Sequence, residues 1–172
     1  MALSKITNDG VATSGLPAGS VLQVLQTLKT DRFTTTSGSP TDITGFNVTI
    51  TPTSATSKIL VTSSFHISEG AAGAYPRFQL LRGATVLGLG DASGSATSIT
   101  AGANIAGTTA DGDVQNVAYT YLDSPSTTSA TTYKWQMYTF SGRTGTFNGS
   151  TTTSNLNNFN TSSTIIVMEI AG

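Results

Sequence analysis

"SKILVTSSFHIS", residues 57–68, alternates in character along its length: Ile59, Val61, Phe65 and Ile67 fall on one side of an extended chain, and Thr62, Ser64, His66 and Ser68 on the other. Successive side chains of a strand point to opposite faces, so this stretch reads as a strand with one face in a core. Its neighbours read the same way. In "TDITGFNVTITP" (41–52), Phe46, Val48 and Ile50 alternate with Gly45, Asn47 and Thr49 before Pro52 ends the run.

Outward from these two strands, "SVLQVLQTLKT" (20–30) and "RFTTT" (32–36) favour extended structure through their Val and Thr content. "YPRFQLLRG" (75–83) and "TVLGLGD" (85–91) form a hairpin around a turn at residues 82–84. The Gly- and Ala-rich stretch 92–113 is expected to be a long loop with a weak strand near Ile99 to Ile105. "VQNVAYTYL", the turn "SPSTTSA", "TTYKWQMYTFSG", "TGTFNGSTTT" and "STIIVMEIAG" complete the chain. In the Trp-bearing strand, Tyr133, Trp135 and Met137 form the inward set. The last strand is apolar on both faces except at Glu169, the mark of a central strand or of one covered by a partner subunit.

Eight to ten short strands with turn signals between them and no amphipathic helix predict an all-β protein. The strand count and the absence of Cys favour an antiparallel jelly-roll-like sandwich over an immunoglobulin-like one. The 172 residues suffice for one β-domain, residues 20–172, preceded by an extended arm, residues 1–19. The arm has too little apolar surface to order alone. Its dispersed aliphatics, Leu3, Ile6, Val11 and Leu16, favour a strap that orders on a neighbour over a loose tail.

Charged residues make up 10% of the chain, against roughly 25% in ordinary proteins. Ser and Thr fill roughly a third of it, and the net charge is −1. No basic block is available to displace counterions from a nucleic acid, and no run of apolar residues reaches the length of a membrane span. Weak charge repulsion suits a component of an assembly. Without Cys there is neither a disulfide nor a thiolate metal site. The start of the chain lacks the apolar core of a secretory signal, so synthesis in the cytosol without export is expected.

Catalytic chemistry finds little to work with. His66 is the single His and sits mid-strand on the polar face, with no strained Gly-x-Ser-x-Gly turn in the chain, so it reads as a surface or interface residue. Glu69 and Glu169 are the two glutamates, and nothing in their positions brings them together as a glycosidase pair. Asp111 and Asp113 in "ADGDV" are turn residues without a calcium loop around them. "GLGDASG" (88–94) lacks the spacing of a phosphate-binding loop. No catalytic, cofactor or metal site is expected, and three sequons, at Asn47, Asn148 and Asn160, reflect composition. Tyr119, Tyr121 and Tyr138 are the candidates for a glycan or partner surface, whereas Trp135 reads as core.

"PAGSVLQVLQT", "VTITPTSATSKILVTSSF", "LLRGATVLG", "YLDSPSTTSATTYKWQM" and "IIVMEIAG" resemble segments of small β-rich virion proteins of tailed bacteriophages, those of aquatic and cyanobacterial hosts in particular. The likeness spans residues 17–172, and "MALSKITNDGVATSG" is similar to the leaders that attach such proteins to the particle. The resemblance implies a homotrimeric cement or decoration protein, made in the host cytoplasm, that binds the major capsid protein or another virion protein on the outer surface of the head. It implies as an alternative a trimeric head- or tail-fibre knob that binds host-surface glycan. A polysaccharide-degrading enzyme ranks far behind both. The roughly nineteen residues before the domain are short for a fibre shaft, which favours decoration.

Overall fold

The computed structural model describes residues 16–69, 75–102, 114–140, 142–154, 156, 158 and 160–172. These contain eleven strands and no helix: β1 Val21–Lys29, β2 Phe33–Thr35, β3 Thr41–Ile50, β4 Lys58–Glu69, β5 Arg77–Arg82, β6 Thr85–Leu87, β7 Ala101–Gly102, β8 Gln115–Asp123, β9 Thr131–Tyr138, β10 Gly145–Phe147 and β11 Ser163–Ile170. All pairings are antiparallel.

β10 and β11 lie end to end along one edge of β4, β11 beside residues 58–64 and β10 beside 67–69. β1 and β2 continue that pattern one strand further out, while β8 runs along the opposite edge of β4. The first sheet is therefore four strands wide, in the order β1/β2, β11/β10, β4, β8. The second has the order β3, β9, β5, β6/β7. Numbered as eight successive positions along the chain, the sheets read 1-8-3-6 and 2-7-4-5. This is the winding of a jelly roll, so the fold expected from the strand pattern is the fold observed.

The alternation in residues 57–68 decides the packing. Ile59, Val61, Phe65 and Ile67 are buried between the sheets, and so is Ser63, whose hydroxyl accepts the indole N–H of Trp135 at 2.9 Å. Phe65 is the centre of an aromatic cluster, with its ring 4.8 Å from Phe78, 5.1 Å from Trp135, 5.6 Å from Phe147 and 6.1 Å from Phe46. Such contacts add to area burial by roughly 0.5–1.5 kcal/mol per pair. Tyr133, Trp135 and Met137 point inward as expected, and the β5–β6 hairpin turns at Gly83, whose φ of 57° suits a residue without a Cβ. The weak strand expected near 99–105 is reduced to β7 in the described residues, and positions 103–105 lie outside them. β11 takes the central position that its two apolar faces suggest.

Of the N-terminal arm, Leu3, Ile6 and Val11 lie outside the described residues. Leu16, half-buried, contributes to a cavity of about 240 Å³ shared with Leu22, Thr53, Ser57 and the C-terminal Ala171 and Gly172. The chain enters β1 beside its own end: Gly19 N–H donates to the Ala171 carbonyl at 2.7 Å, and Ala171 N–H to the Ser20 carbonyl at 2.8 Å.

Candidate assembly surface

The two outer faces of the sandwich have opposite character. On the second sheet, Asp42 accepts from Lys134 and from Gln136, each at 2.7 Å, and Thr49 meets Thr132 at 2.7 Å. The Lys134 and Gln136 contacts hold the Asp42 carboxyl below the usual carboxylate range. Gln79 and Arg77 continue this polar surface on β5. It is the hydrogen-bonded face of a sheet turned to water.

On the first sheet the same outward positions are largely aliphatic. Register places Val24 opposite Met168, Met168 opposite Leu60, and Leu60 opposite Leu122, so one apolar row crosses all four strands. The next row runs Gln26, Ile166, Thr62, Thr120, and the next Leu28, Thr164, Ser64, Ala118. Val24, Leu28 and Leu122 are 54, 56 and 50% exposed, while Leu60, Ile166 and Met168 are half-buried by their neighbours in the sheet. Across Lys58–His66 and the outward residues facing them, Lys58 and His66 are the only ionisable groups, one at each end. The apolar row, bordered by two mixed rows, is the kind of patch from which interaction sites on folded domains are built.

β1, the outermost strand, pairs through one edge with β11. Among the described residues no strand is hydrogen-bonded to its other edge, although β3 of the second sheet lies close to it and Gln23 donates to the Thr51 carbonyl at 2.8 Å. It runs nine residues with no Pro, and its single charge, Lys29 at the last position, is buried and bound to Asp31 at 2.7 Å. It has neither an outward Lys nor a Pro, and what breaks its regularity is a bulge between Val21 and Gln23 and the buried Lys29 at its end.

The residues singled out by sequence fall elsewhere. Tyr119 and Tyr121 turn inward from β8 onto the core, and Tyr119 meets Trp135 edge-on at 5.8 Å; burial pushes its phenol up from the usual value. Tyr138 lies on the outer side of the second sheet, buried beneath Arg77, whose guanidinium sits 5.8 Å from its ring centre. The three tyrosines do not form one platform. His66 does lie on the outer face of the first sheet, with Nδ1 2.9 Å from the Ser162 carbonyl. That carbonyl occupies the place a triad would give to a carboxylate.

Glu169 and Glu69 are separated by the length of β4: Glu169 stands opposite Ile59, ten residues from Glu69, or about 33 Å along a strand. Glycosidase carboxylates work at under about 10 Å. Each has a structural setting. Glu69 accepts the Tyr75 N–H at 3.0 Å. Glu169 is fully buried and accepts from Gln23 at 2.6 Å and from the Thr53 N–H and hydroxyl at 2.7 Å. Burial opposes its ionisation, but these hydrogen bonds outweigh burial and hold the carboxyl below its usual range. Asp123, also buried, takes the Arg82 guanidinium at 2.9 Å and the Tyr133 hydroxyl at 2.6 Å. Burial first, and the Asp123 carboxylate second, push the Tyr133 phenol far up.

Asp111 and Asp113 lie outside the described residues, among which no three metal-ligating groups come together. Of the sequons, Asn47 and Asn160 are exposed, whereas Asn148 is buried and its amide donates to the Lys29 carbonyl at 2.8 Å. Gly88, in the stretch without phosphate-loop spacing, packs against the Tyr119 hydroxyl.

The apolar row was half legible: the two-faced character of β11 gave it away, while Leu60 and Leu122 have polar residues on either side of them along their own face (Lys58 and Thr62, Thr120 and Ser124) and join it only through register. No family model matches this chain, and no curated protein matches it.

Proposed function

We propose that this protein is a non-catalytic structural module of a virus particle: a cement or decoration protein that binds the outer surface of a bacteriophage head as a homotrimer and stabilises it. In this reading the β-domain forms the trimer, and residues 1–19 strap it to the major capsid protein or another virion protein, with Leu3, Ile6, Val11 and Leu16 as anchors. It is made in the host cytoplasm, and its partners include neither nucleic acid nor membrane.

The observation that carries the reading is the contrast between the two outer faces. One is hydrogen-bonded and solvated; the other offers an aliphatic row and an unpaired strand edge, which favours a molecule that works by being covered. The jelly roll is compatible with this role, as it is with others, and the argument rests on the surface and not on the fold. The inward turn of Tyr119 and Tyr121 weakens the glycan-binding knob as an alternative.

The test is co-sedimentation of the purified protein with phage heads lacking it, alongside light scattering of the full chain and of a form lacking residues 2–19. A trimer in both forms, with fixed stoichiometry on heads for the full chain alone, is expected. A monomer in both, or equal binding by the truncated form, overturns the reading.

A further inference from the structure

The first sheet is interrupted at one level. β10 ends at Phe147 and β11 begins at Ser163, while one strand further out β1 ends at Lys29 and β2 begins at Phe33. The two breaks lie side by side, and Asn148 fills the joint between them. It is fully buried with φ at 64°, and its N–H continues the β10–β4 ladder by donating to the His66 carbonyl at 2.9 Å.

Its side-chain amide then does what a peptide group would do in an unbroken strand. Nδ2 donates to the Lys29 carbonyl at 2.8 Å and to the Asp31 carbonyl at 3.1 Å, and Oδ1 accepts from the Ser163 hydroxyl. Both amide hydrogens are used on carbonyl oxygens, so a carboxylate in the same place would turn acceptor towards acceptor.

The same residue opens the one Asn-Gly pair of the chain, Asn148–Gly149. An Asn amide loses ammonia when the backbone nitrogen of the next residue attacks its carbonyl carbon, and Gly, without a Cβ, obstructs that approach least. Every other Asn is followed by a bulkier residue, Asn47 and Asn116 by Val.

We propose that Asn148–Gly149 is a deamidation site that the folded joint holds shut, and that its conversion unlocks the joint irreversibly. In the reaction the Gly149 nitrogen gives up its proton and bonds to Asn148 Cγ; the Cγ–Nδ2 bond breaks, and Nδ2 leaves with that proton as ammonia. Water then opens the resulting cyclic imide at either carbonyl, which leaves aspartate or isoaspartate. Nothing is oxidised, and water is the only co-reactant.

The native geometry opposes the first step. Attack requires the amide to swing free of Lys29, Asp31 and Ser163, and the Gly149 peptide is itself held, its carbonyl accepting from the Ser68 hydroxyl at 2.7 Å. Conversion therefore waits for the joint to open, a local event that leaves the rest of the sandwich folded. The surroundings favour such opening: Thr146, Thr151 and Thr161 each bury a hydroxyl with no partner among the described residues, which costs local stability.

The experiment is incubation of the full chain at mildly alkaline pH, in buffer and in guanidinium chloride, followed by peptide mapping with mass spectrometry and isoaspartate detection. In denaturant, residue 148 is expected to convert before any other Asn, and Gly149→Ala to slow it sharply. In buffer the conversion is expected to be at least about tenfold slower, since only the open fraction reacts. Ser163→Ala, which releases Oδ1, speeds conversion in the folded chain. Asn148→Asp, the product made directly, has a lower guanidinium midpoint than the native chain.

Equal rates in buffer and in denaturant overturn the closed joint, and a residue 148 that stays intact in denaturant removes the site. A folded Ser163→Ala that converts no faster shows that these side-chain bonds are not the lock. An unchanged midpoint for Asn148→Asp overturns the unlocking. If Ser163→Ala does not fold, the native chain in the two solvents decides the matter alone.

Discussion

Trp135 and Ser63 tie the two sheets together: the indole N–H on β9 reaches 2.9 Å across the core to a serine hydroxyl on β4, and both residues are buried. Serine at an inward position of an otherwise aliphatic strand looks like a flaw, yet it satisfies a donor that would otherwise be buried alone. Ser63→Ala is expected to lower stability by about 1–3 kcal/mol, the cost of an orphaned buried donor. Urea denaturation followed by Trp fluorescence measures it, and a change below about 0.5 kcal/mol would mean that the indole finds another partner.

Phe65 touches four other rings, and no other residue of the cluster holds so many of them together. Phe65→Ala should cost about 3–5 kcal/mol, whereas Phe65→Leu, which keeps most of the volume, should cost about 1–2 kcal/mol. Thermal denaturation of both variants would reveal equal losses if the site collapses freely.

Glu169 sets an acid limit. Its carboxyl is held below the ordinary range in the folded state, so its contribution is fully present above the unfolded value of about 4.3 and is lost as pH falls through the folded one. The native urea midpoint should therefore fall as pH drops from about 5 to 3. Glu169→Gln should be less stable at neutral pH, since one face of its amide would confront the donors of Gln23 or Thr53, and should lose less on acidification. Parallel pH profiles for the two proteins would show that other carboxyls set the acid limit.

Asp123 receives both Arg82 and Tyr133. Tyr133→Phe removes one donor and leaves the ion pair, for a loss of about 1 kcal/mol. Asp123→Ala strands a buried hydroxyl and a partly buried guanidinium together, and about 2–4 kcal/mol is expected. Chemical denaturation should preserve that order, and a reversed order would mean that the phenol, not the carboxylate, anchors the site.

The fold was legible because its strands are half-buried. In β3, β4 and β9 an apolar residue at every second position announces an inner face, and the structure buries Phe46, Val61, Phe65, Tyr133 and Trp135 accordingly. Ser63 and Glu169 escaped that reasoning, since a polar residue at an inward position can be understood only with its partner, and Trp135 and Thr53 are distant in sequence. The tyrosines misled for a related reason. Tyr119 and Tyr121 alternate with Ala118, Thr120 and Leu122 in a strand without a strong apolar period, so either side could have faced the core. β8 turns its tyrosines inward and its leucine outward, and only the pairing of Leu122 with Leu60 shows the leucine to be one end of a row.

The hydrogen bonds joining Gly19 and Ser20 to Ala171 place the two ends of the domain side by side at one pole. A short Gly/Ser linker between them would turn the β-domain into a closed loop of chain that can be cut elsewhere, for instance at the exposed turn around Ala84. A circular permutant of this kind would carry its new ends on the β5–β6 hairpin. Anything fused at Gly19 or at Ala171 would leave from that pole, so cargo meant to point the other way is better placed in the loop that joins β2 to β3.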